Sequence, residues 1–252
     1  MKNRLQELLA AGDTAIGAMI QLPSAPVVEV LAQAGFDWLV IDTEHGPIDG
    51  EKLQAMIRAT SETATTPCVR IASNLDWLAK RALDVGALGV MIPGVNSADE
   101  ARAAVRAVRY PPQGSRGYGP TFAALRWGLS SADYVRQAND TVMAIVQIEH
   151  IDAVMRIDDI LGVSGIDLVL IGPNDLSGSM GLLGQVSHPE VQAAIDRVLQ
   201  AAKKAHVPAG IFGVSAEEVN RYIAQGFQAI LAGVDVAFLA AGASGMLNQI
   251  KR

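Results

Sequence analysis

The sequence predicts an α/β fold closed into a (β/α)8 TIM barrel. Short apolar, β-rich runs recur along the chain, each ended by Gly, Pro or an acid, and segments of helical periodicity lie between them. Nearly every run is apolar at consecutive residues, as in parallel strands buried on both faces. Eight such units in 252 residues argue for closure. An open doubly wound sheet is the alternative, weakened because no Gly-x-Gly-x-x-Gly turn follows an early strand. At this length, with half of the residues hydrophobic, the chain is expected to build one domain over residues 1–252.

Taken in order, Met1 to Asp13 places Leu5, Leu8, Leu9 and Ala10 at helical spacing among charges, which predicts an extra amphipathic N-terminal helix acting as a lid. The strands are expected at Ile16–Gln21, Trp38–Asp42, Pro67–Ala72, Leu88–Pro93, Val142–Glu149, Leu168–Gly172, Ala209–Gly213 and Ala229–Gly233. Three of the intervening helices are expected to open on a Ser followed three residues later by an acid: Ser97 with Glu100, Ser187 with Glu190, and Ser215 with Glu218. Pro189 suits a first helical turn. From Arg109 to Ser130 the chain is too long for an ordinary connection and is rich in Pro, Gly and aromatics. Either it is a mobile surface loop, or Tyr110, Tyr118, Phe122 and Trp127 pack against something, a second subunit included. Val236–Leu247 is unusually apolar for an outer helix, so an oligomer is expected.

Composition excludes several partners. The 20 basic and 26 acidic residues give a net charge of −6, with no run of Lys or Arg suited to a phosphate backbone, so nucleic acid is not expected. No apolar run approaches the roughly 18 residues that span a bilayer, and no signal-peptide pattern appears. Cys68, the single cysteine, reads as a core thiol. A soluble, cytoplasmic protein is expected.

In this architecture the chemistry lies at the carboxyl ends of the strands. Polar residues concentrate at four of these ends: Asp42-Thr43-Glu44-His45 after the second, Arg70 in the third, Gln147 and Glu149 on one side of the fifth, and Asn174-Asp175 after the sixth. Two acids at the tips of neighbouring apolar strands need a compensating cation or donor. Glu149 and Asp175 are therefore candidate ligands of a divalent metal, against the alternative of helix caps or an ion pair. Oxygen-only donors favour Mg²⁺ or Mn²⁺, with Co²⁺ as a further candidate, over zinc. Arg70 keeps its charge and must meet an anion, either a substrate carboxylate or enolate, or Glu44 or Glu149 in a salt bridge. His45, between Asp42, Glu44 and Gly46, is a candidate general base or simply a solvated side chain, and Asp42 is a catalytic candidate beside it. A Schiff-base mechanism lacks its lysine, because Lys2, Lys52, Lys80, Lys203, Lys204 and Lys251 all fall in helical stretches or termini.

With these residues laid out, the chain resembles the class II, metal-dependent pyruvate aldolases that include 4-hydroxy-2-oxoheptanedioate and 2-dehydro-3-deoxyglucarate aldolases. The resemblance rests on AGFDWLVIDTEHGP (34–47), ADEARAAVRAVRYPPQGSRGYG (98–119), VQIE (146–149), IGPNDLSGSMG (171–181) and HPEVQAAI (188–195), in that order. It implies an enzyme that reversibly cleaves 4-hydroxy-2-oxo acids to pyruvate and an aldehyde. Within it, His45 corresponds to the proton acceptor, and Asp84 to an acid that raises the basicity of that histidine from a neighbouring subunit. Arg70 corresponds to the residue that stabilises the enolate, Gln147 to one that holds the keto acid, and Glu149 and Asp175 to the metal ligands. Asn174 and Asp175 would offer backbone amides to the substrate carboxylate. The resemblance also implies trimers or hexamers with an exchanged final helix.

The chain departs from the family pattern at Met19, where relatives often carry Trp, and at Tyr118, His150 and Asn174, the last in place of a common Ala. These departures bear on which aldehyde is accepted and leave the pyruvate half intact. Oxaloacetate decarboxylation through the same enolate is a rival activity, and a non-catalytic keto-acid-binding barrel is a rival of another class.

Overall fold

The computed structural model describes residues 1–250; Lys251, assigned above to the terminus, lies outside them. Eight parallel strands close into a barrel in sequence order: β1 Ala15–Ile20, β2 Trp38–Asp42, β3 Thr66–Arg70, β4 Gly89–Ile92, β5 Met143–Ile148, β6 Leu168–Ile171, β7 Ala209–Phe212 and β8 Ala229–Val234. The helices are α1 Arg4–Ala11, α2 Ala25–Gln33, α3 Gly50–Arg58, α4 Asp76–Asp84, α5 Ala98–Val108, α6 Thr121–Arg126, α7 Ser131–Thr141, α8 Ile151–Met155, α9 Ile157–Leu161, α10 Pro173–Ser179, α11 Pro189–Ala205, α12 Ala216–Gln225 and α13 Asp235–Gln249. Each expected strand matches an observed one to within two residues at either end, because a continuous apolar run bounded by turn residues has few other ways to bury itself.

Two apolar clusters share the strands. Outward-facing residues such as Leu39, Ile41, Val69, Val90, Val146 and Val169 pack beneath the helices. Inward-facing Trp38, Val40, Cys68, Met91, Met143, Ile145, Leu168, Leu170 and Leu231 fill the barrel and meet Leu5 and Leu9 of α1. The expected N-terminal helix therefore plugs the amino end of the barrel. It is tied there by Asn3, whose amide donates to the carbonyls of Leu88 (3.1 Å) and Thr141 (2.7 Å). With one end sealed, a ligand has the carboxyl end of the strands to enter by.

Ser97 and Ser215 cap α5 and α12 as expected, accepting from Glu100 N and Glu218 N. The expected Ser187 cap is corrected: α11 begins one residue later, and His188 is its cap, Nδ1 accepting from Glu190 N at 3.3 Å. Pro189 occupies the first helical turn, which moves the boundary past the serine. The stretch from Arg109 to Ser130 is neither wholly loop nor wholly exposed. It contains α6, buries Tyr110, and anchors Trp127 Nε1 on the Gly86 carbonyl at 3.1 Å, whereas Tyr118, Phe122 and Leu125 stay exposed. In α13 only Asp235 is buried, and Val236, Leu239, Met246 and Leu247 face solvent. No helix of the described residues is long and apolar enough to cross a membrane.

Gly17 is required by close approach: a Cβ there would lie 2.5 Å from Nε1 of the fully buried Trp38. We expect Gly17→Ala to destabilise the protein by about 2 kcal/mol through overpacking, read as a lowered urea midpoint. An unchanged midpoint would show that Trp38 has room to move.

Candidate active site

The site is organised around one cross-strand pair. Asp42 ends β2, Arg70 ends β3, and the register sets them directly opposite each other with both side chains turned into the barrel. Arg70 Nε donates to Asp42 Oδ1 at 3.0 Å and Nη2 to Oδ2 at 2.7 Å, a two-point grip on a fully buried carboxylate. Burial works to raise the Asp42 pKa, but the Arg70 hydrogen bonds and charge outweigh it and hold the carboxyl below its usual value. Burial likewise opposes the Arg70 charge, and Asp42 more than restores it. Arg70 Nη1 has no hydrogen-bond partner among the described residues, and Arg70 lines the cavity above the barrel.

Asp42 also shapes the following turn. Its Oδ1 accepts the amides of Glu44 (3.1 Å) and His45 (3.3 Å), and the chain tightens until Gly46 N reaches the Asp42 carbonyl at 3.1 Å. A Cβ on Gly46 would come within 2.4 Å of that carbonyl, so the turn requires glycine. The result aims His45 into the cavity and brings Glu44 Oε2 to 3.1 Å from Arg70 Nε. Asp42 therefore acts through Arg70 and the His45 turn, its own oxygens being consumed. Of the two salt bridges expected for Arg70, Glu44 is found at ion-pair distance; Asp42, expected among the catalytic residues, is the dominant partner.

Gln147, buried, and Glu149 follow each other on one face of β5 and its extension, and Gln147 Nε2 donates to Glu149 Oε2. Gly94 N, after β4, donates to Glu149 Oε1 at 2.8 Å. Burial pushes the Glu149 carboxyl above its usual pKa, opposed by the Gly94 amide and reinforced by the charges of Glu44 and Asp175. Glu44 is likewise raised, first by burial. Three acids thus crowd one mouth. Gln147 Oε1 is buried without a partner. Gly172 makes room for them, since a Cβ there would sit 3.1 Å from both Gln147 Nε2 and Glu149 Cβ. A cation suits this corner. No set of three or more His, Cys, Asp or Glu side chains among the described residues is arranged to hold an ion, so the carboxylate ligands would number two, Glu149 and Asp175.

His45, Arg70, Gln147, Asn174 and Asp175 line one cavity of about 280 Å³, floored by Met19, Leu170, Phe212 and Leu231. Asp84 is not among them. At the end of α4 its carboxylate receives Arg116 Nη2 at 3.1 Å, and it lines a separate cavity. Two contributors escaped the sequence reading. Gln21, immediately after β1, donates to Asp42 Oδ2 at 3.0 Å and lines the cavity. Asp235 accepts the Gln21 and Leu22 amides at 3.0 Å each, joining the ends of β8 and β1. The strand-end rule that found Arg70 applies equally to Gln21 after β1 and Asp235 after β8; their pairing across the barrel seam carries no local signal.

Residues 16–241 match the family model described as HpcH/HpaI aldolase/citrate lyase. The chain belongs to the HpcH/HpaI aldolase/citrate lyase family. It is an aldolase, a carbon–carbon lyase. Among the relatives of this family member, a 4-hydroxy-2-oxo-heptane-1,7-dioate aldolase from Salmonella dublin is 42% identical over 98% of this chain and 94% of its own. A 2-dehydro-3,6-dideoxy-6-sulfogluconate aldolase from Pseudomonas putida is 40% identical over 94% and 92%. A crystal structure of a family protein from Burkholderia cenocepacia superposes with a TM-score of 0.91 at 35% identity, covering 98% of this chain and 99% of that one.

Asp42 and Glu149 have opposite energetic signs. Asp42→Asn breaks a buried ion pair and strands the Arg70 charge, so we expect a loss of about 3 kcal/mol in urea unfolding. Glu149→Gln keeps an acceptor for Gly94 N and removes a buried, repelled charge, so the metal-free protein should be as stable as wild type or more so. Equal destabilisation by both would contradict this picture of the site.

Proposed function

We propose that this aldolase reversibly cleaves 4-hydroxy-2-oxo acids to pyruvate and an aldehyde, using Mg²⁺ or Mn²⁺, with Co²⁺ as a substitute. The observation that carries the reading is Arg70: locked in place by Asp42, it keeps an Nη1 with no partner among the described residues, and it lines a cavity shared with His45, Gln147 and Asp175. The crowding of acids and the orphaned Gln147 oxygen support a cation held by Glu149 and Asp175. A dication there would supply positive charge to the oxygens of the 2-oxo acid. Everything else falls to the chain. Gln147 orients the keto acid. The first-turn amides of α10 at Asn174 and Asp175 have no intrahelical acceptor and suit the substrate carboxylate. His45 removes the proton of the 4-hydroxyl; as that oxygen becomes the aldehyde carbonyl, the C3–C4 bond breaks and its electron pair forms the enolate. Arg70 stabilises the enolate oxygen, and protonation at C3 yields pyruvate.

The same reading includes a homo-oligomer, a trimer or hexamer, in which α13 crosses to a neighbour and Asp84 approaches the neighbour's His45. The exposed apolar side chains of α13, Tyr118 and Phe122 support assembly. A single domain over residues 1–252 and a reducing cytoplasm complete it, the latter supported by Cys68, a buried thiol whose pKa is raised by burial.

Pyruvate release from 4-hydroxy-2-oxo diacids should vanish on chelation and return with Mg²⁺ or Mn²⁺. His45→Ala should lower kcat about a hundredfold or more, the usual worth of a positioned base. Arg70→Lys should lose a similar factor, since an ammonium cannot reproduce the two-point contact with Asp42 while also reaching the substrate. Wild-type turnover in either variant at saturating metal would refute the assigned roles.

A further inference from the structure

A second cavity, of about 550 Å³, adjoins the catalytic one and shares Pro173, Asn174 and Phe212 with it as a common wall. Its far side is built from the segment before α11 and the start of α12: Gln185, Ser187, His188 and Glu218. The side chains of Asn174, Gln185 and Ser187 have no intramolecular hydrogen-bond partner among the described residues. His188 spends Nδ1 on the Glu190 amide and keeps Nε2 free. On the opposite side, the catalytic cavity is bounded by Met19, Leu231 and Val234, where the one polar side chain, Gln21, already spends its amide nitrogen on Asp42 Oδ2. A polar tail attached to the reacting carbonyl therefore finds most of its hydrogen-bonding groups in one direction, across Asn174.

The charge of this groove is equally specific. Among the described residues no Lys or Arg lines it, and its one charged wall is Glu218. Val214 N at 2.8 Å and the Tyr222 hydroxyl at 3.2 Å hold that carboxylate in place. Arg221 touches Glu218 Oε1 at 3.3 Å without lining the groove. An anionic tail would meet neutral amides, a hydroxyl and a carboxylate, with no cation to pair with.

We propose that the groove across Asn174 is the acceptor subsite, and that it selects a neutral, hydroxyl-bearing aldehyde over one ending in a carboxylate or sulfonate. Asn174, Ser187 and His188 are its specificity residues. This rests on the aldolase reading above and goes further by naming the class of aldehyde.

The test runs the purified protein in the synthetic direction, with pyruvate and Mg²⁺, on glyceraldehyde, butanal and succinic semialdehyde. Glyceraldehyde should exceed succinic semialdehyde in kcat/KM by about tenfold or more, the order of discrimination available to a few polar contacts. In Asn174→Ala and His188→Ala the ratio of kcat/KM for glyceraldehyde over butanal should fall about threefold, mainly through KM, as expected for one lost hydrogen bond. Because the ratio is taken within one variant, a general loss of folded enzyme cancels. Glu218→Gln, which keeps an oxygen for Val214 N, should raise the semialdehyde rate about threefold at low salt, and the gain should shrink in high salt. Succinic semialdehyde used as well as glyceraldehyde, or ratios unmoved by these variants, would overturn the proposal. Exchange of the pyruvate methyl protons in deuterated water, without any aldehyde, separates the two levels of inference. If wild type shows no exchange, the aldolase reading fails and takes the subsite with it; if exchange proceeds, the aldehyde panel judges the groove alone.

Discussion

The Asp42–Arg70 pair is the constraint on which the rest of the site depends. A guanidinium that cannot lose its proton is brought to the mouth of an apolar barrel, where only a buried carboxylate in register on the next strand makes it tolerable. That carboxylate then does three things at once. It fixes the direction of Arg70, folds the turn that presents His45, and receives Gln21 from the first strand. The open donor of Arg70 is thereby held in a set direction with little conformational entropy left to lose on binding, which is the condition for stabilising charge that appears only during reaction.

On the other side of the mouth the balance is reversed. Glu149 and Asp175 add their negative charge to that of Glu44, which Arg70 contacts, and burial drives the Glu44 and Glu149 carboxyls towards their neutral forms. A pre-compensated cation on β3 thus faces an under-compensated acidic corner on β5 and β6. The proposed 2-oxo acid substrate would match both halves, its anionic oxygens suiting the guanidinium and a dication, if held by Glu149 and Asp175, relieving the acidic corner. The proposed acceptor groove continues the same division of labour: beyond Asn174 the walls carry neutral polar groups and one carboxylate, Glu218, with no cation among the described residues to pair with an anion.

Much of this was legible in the sequence. The barrel was legible because its period is local: each apolar run and each cap depends on residues a few positions apart, as Trp38–Asp42 and Ser215 with Glu218 illustrate. The site residues on strand ends were legible because a charged side chain at such a place has few structural uses. Ser187 was misread because two capping solutions differ by one residue, and Pro189 after His188 settles which one the helix uses. The aromatics after Arg109 could not be divided by pattern, since whether Tyr110 is buried or Tyr118 exposed depends on what packs above them.

By itself, then, the sequence determined the order and type of the elements, the closed parallel sheet and the set of polar residues at its carboxyl end, since these follow from hydrophobic periodicity and from the cost of burying charge. Tertiary structure alone decided the partnerships: Arg70 with Asp42, Gln21 with Asp42, Asp235 across the seam, and Asp84 turned to Arg116. The physical reason is register and closure. Which side chains meet depends on how neighbouring strands are offset and where the barrel joins, and those offsets are set by the packing of the whole interior, from Trp38 against Gly17 to Leu5 in the α1 plug.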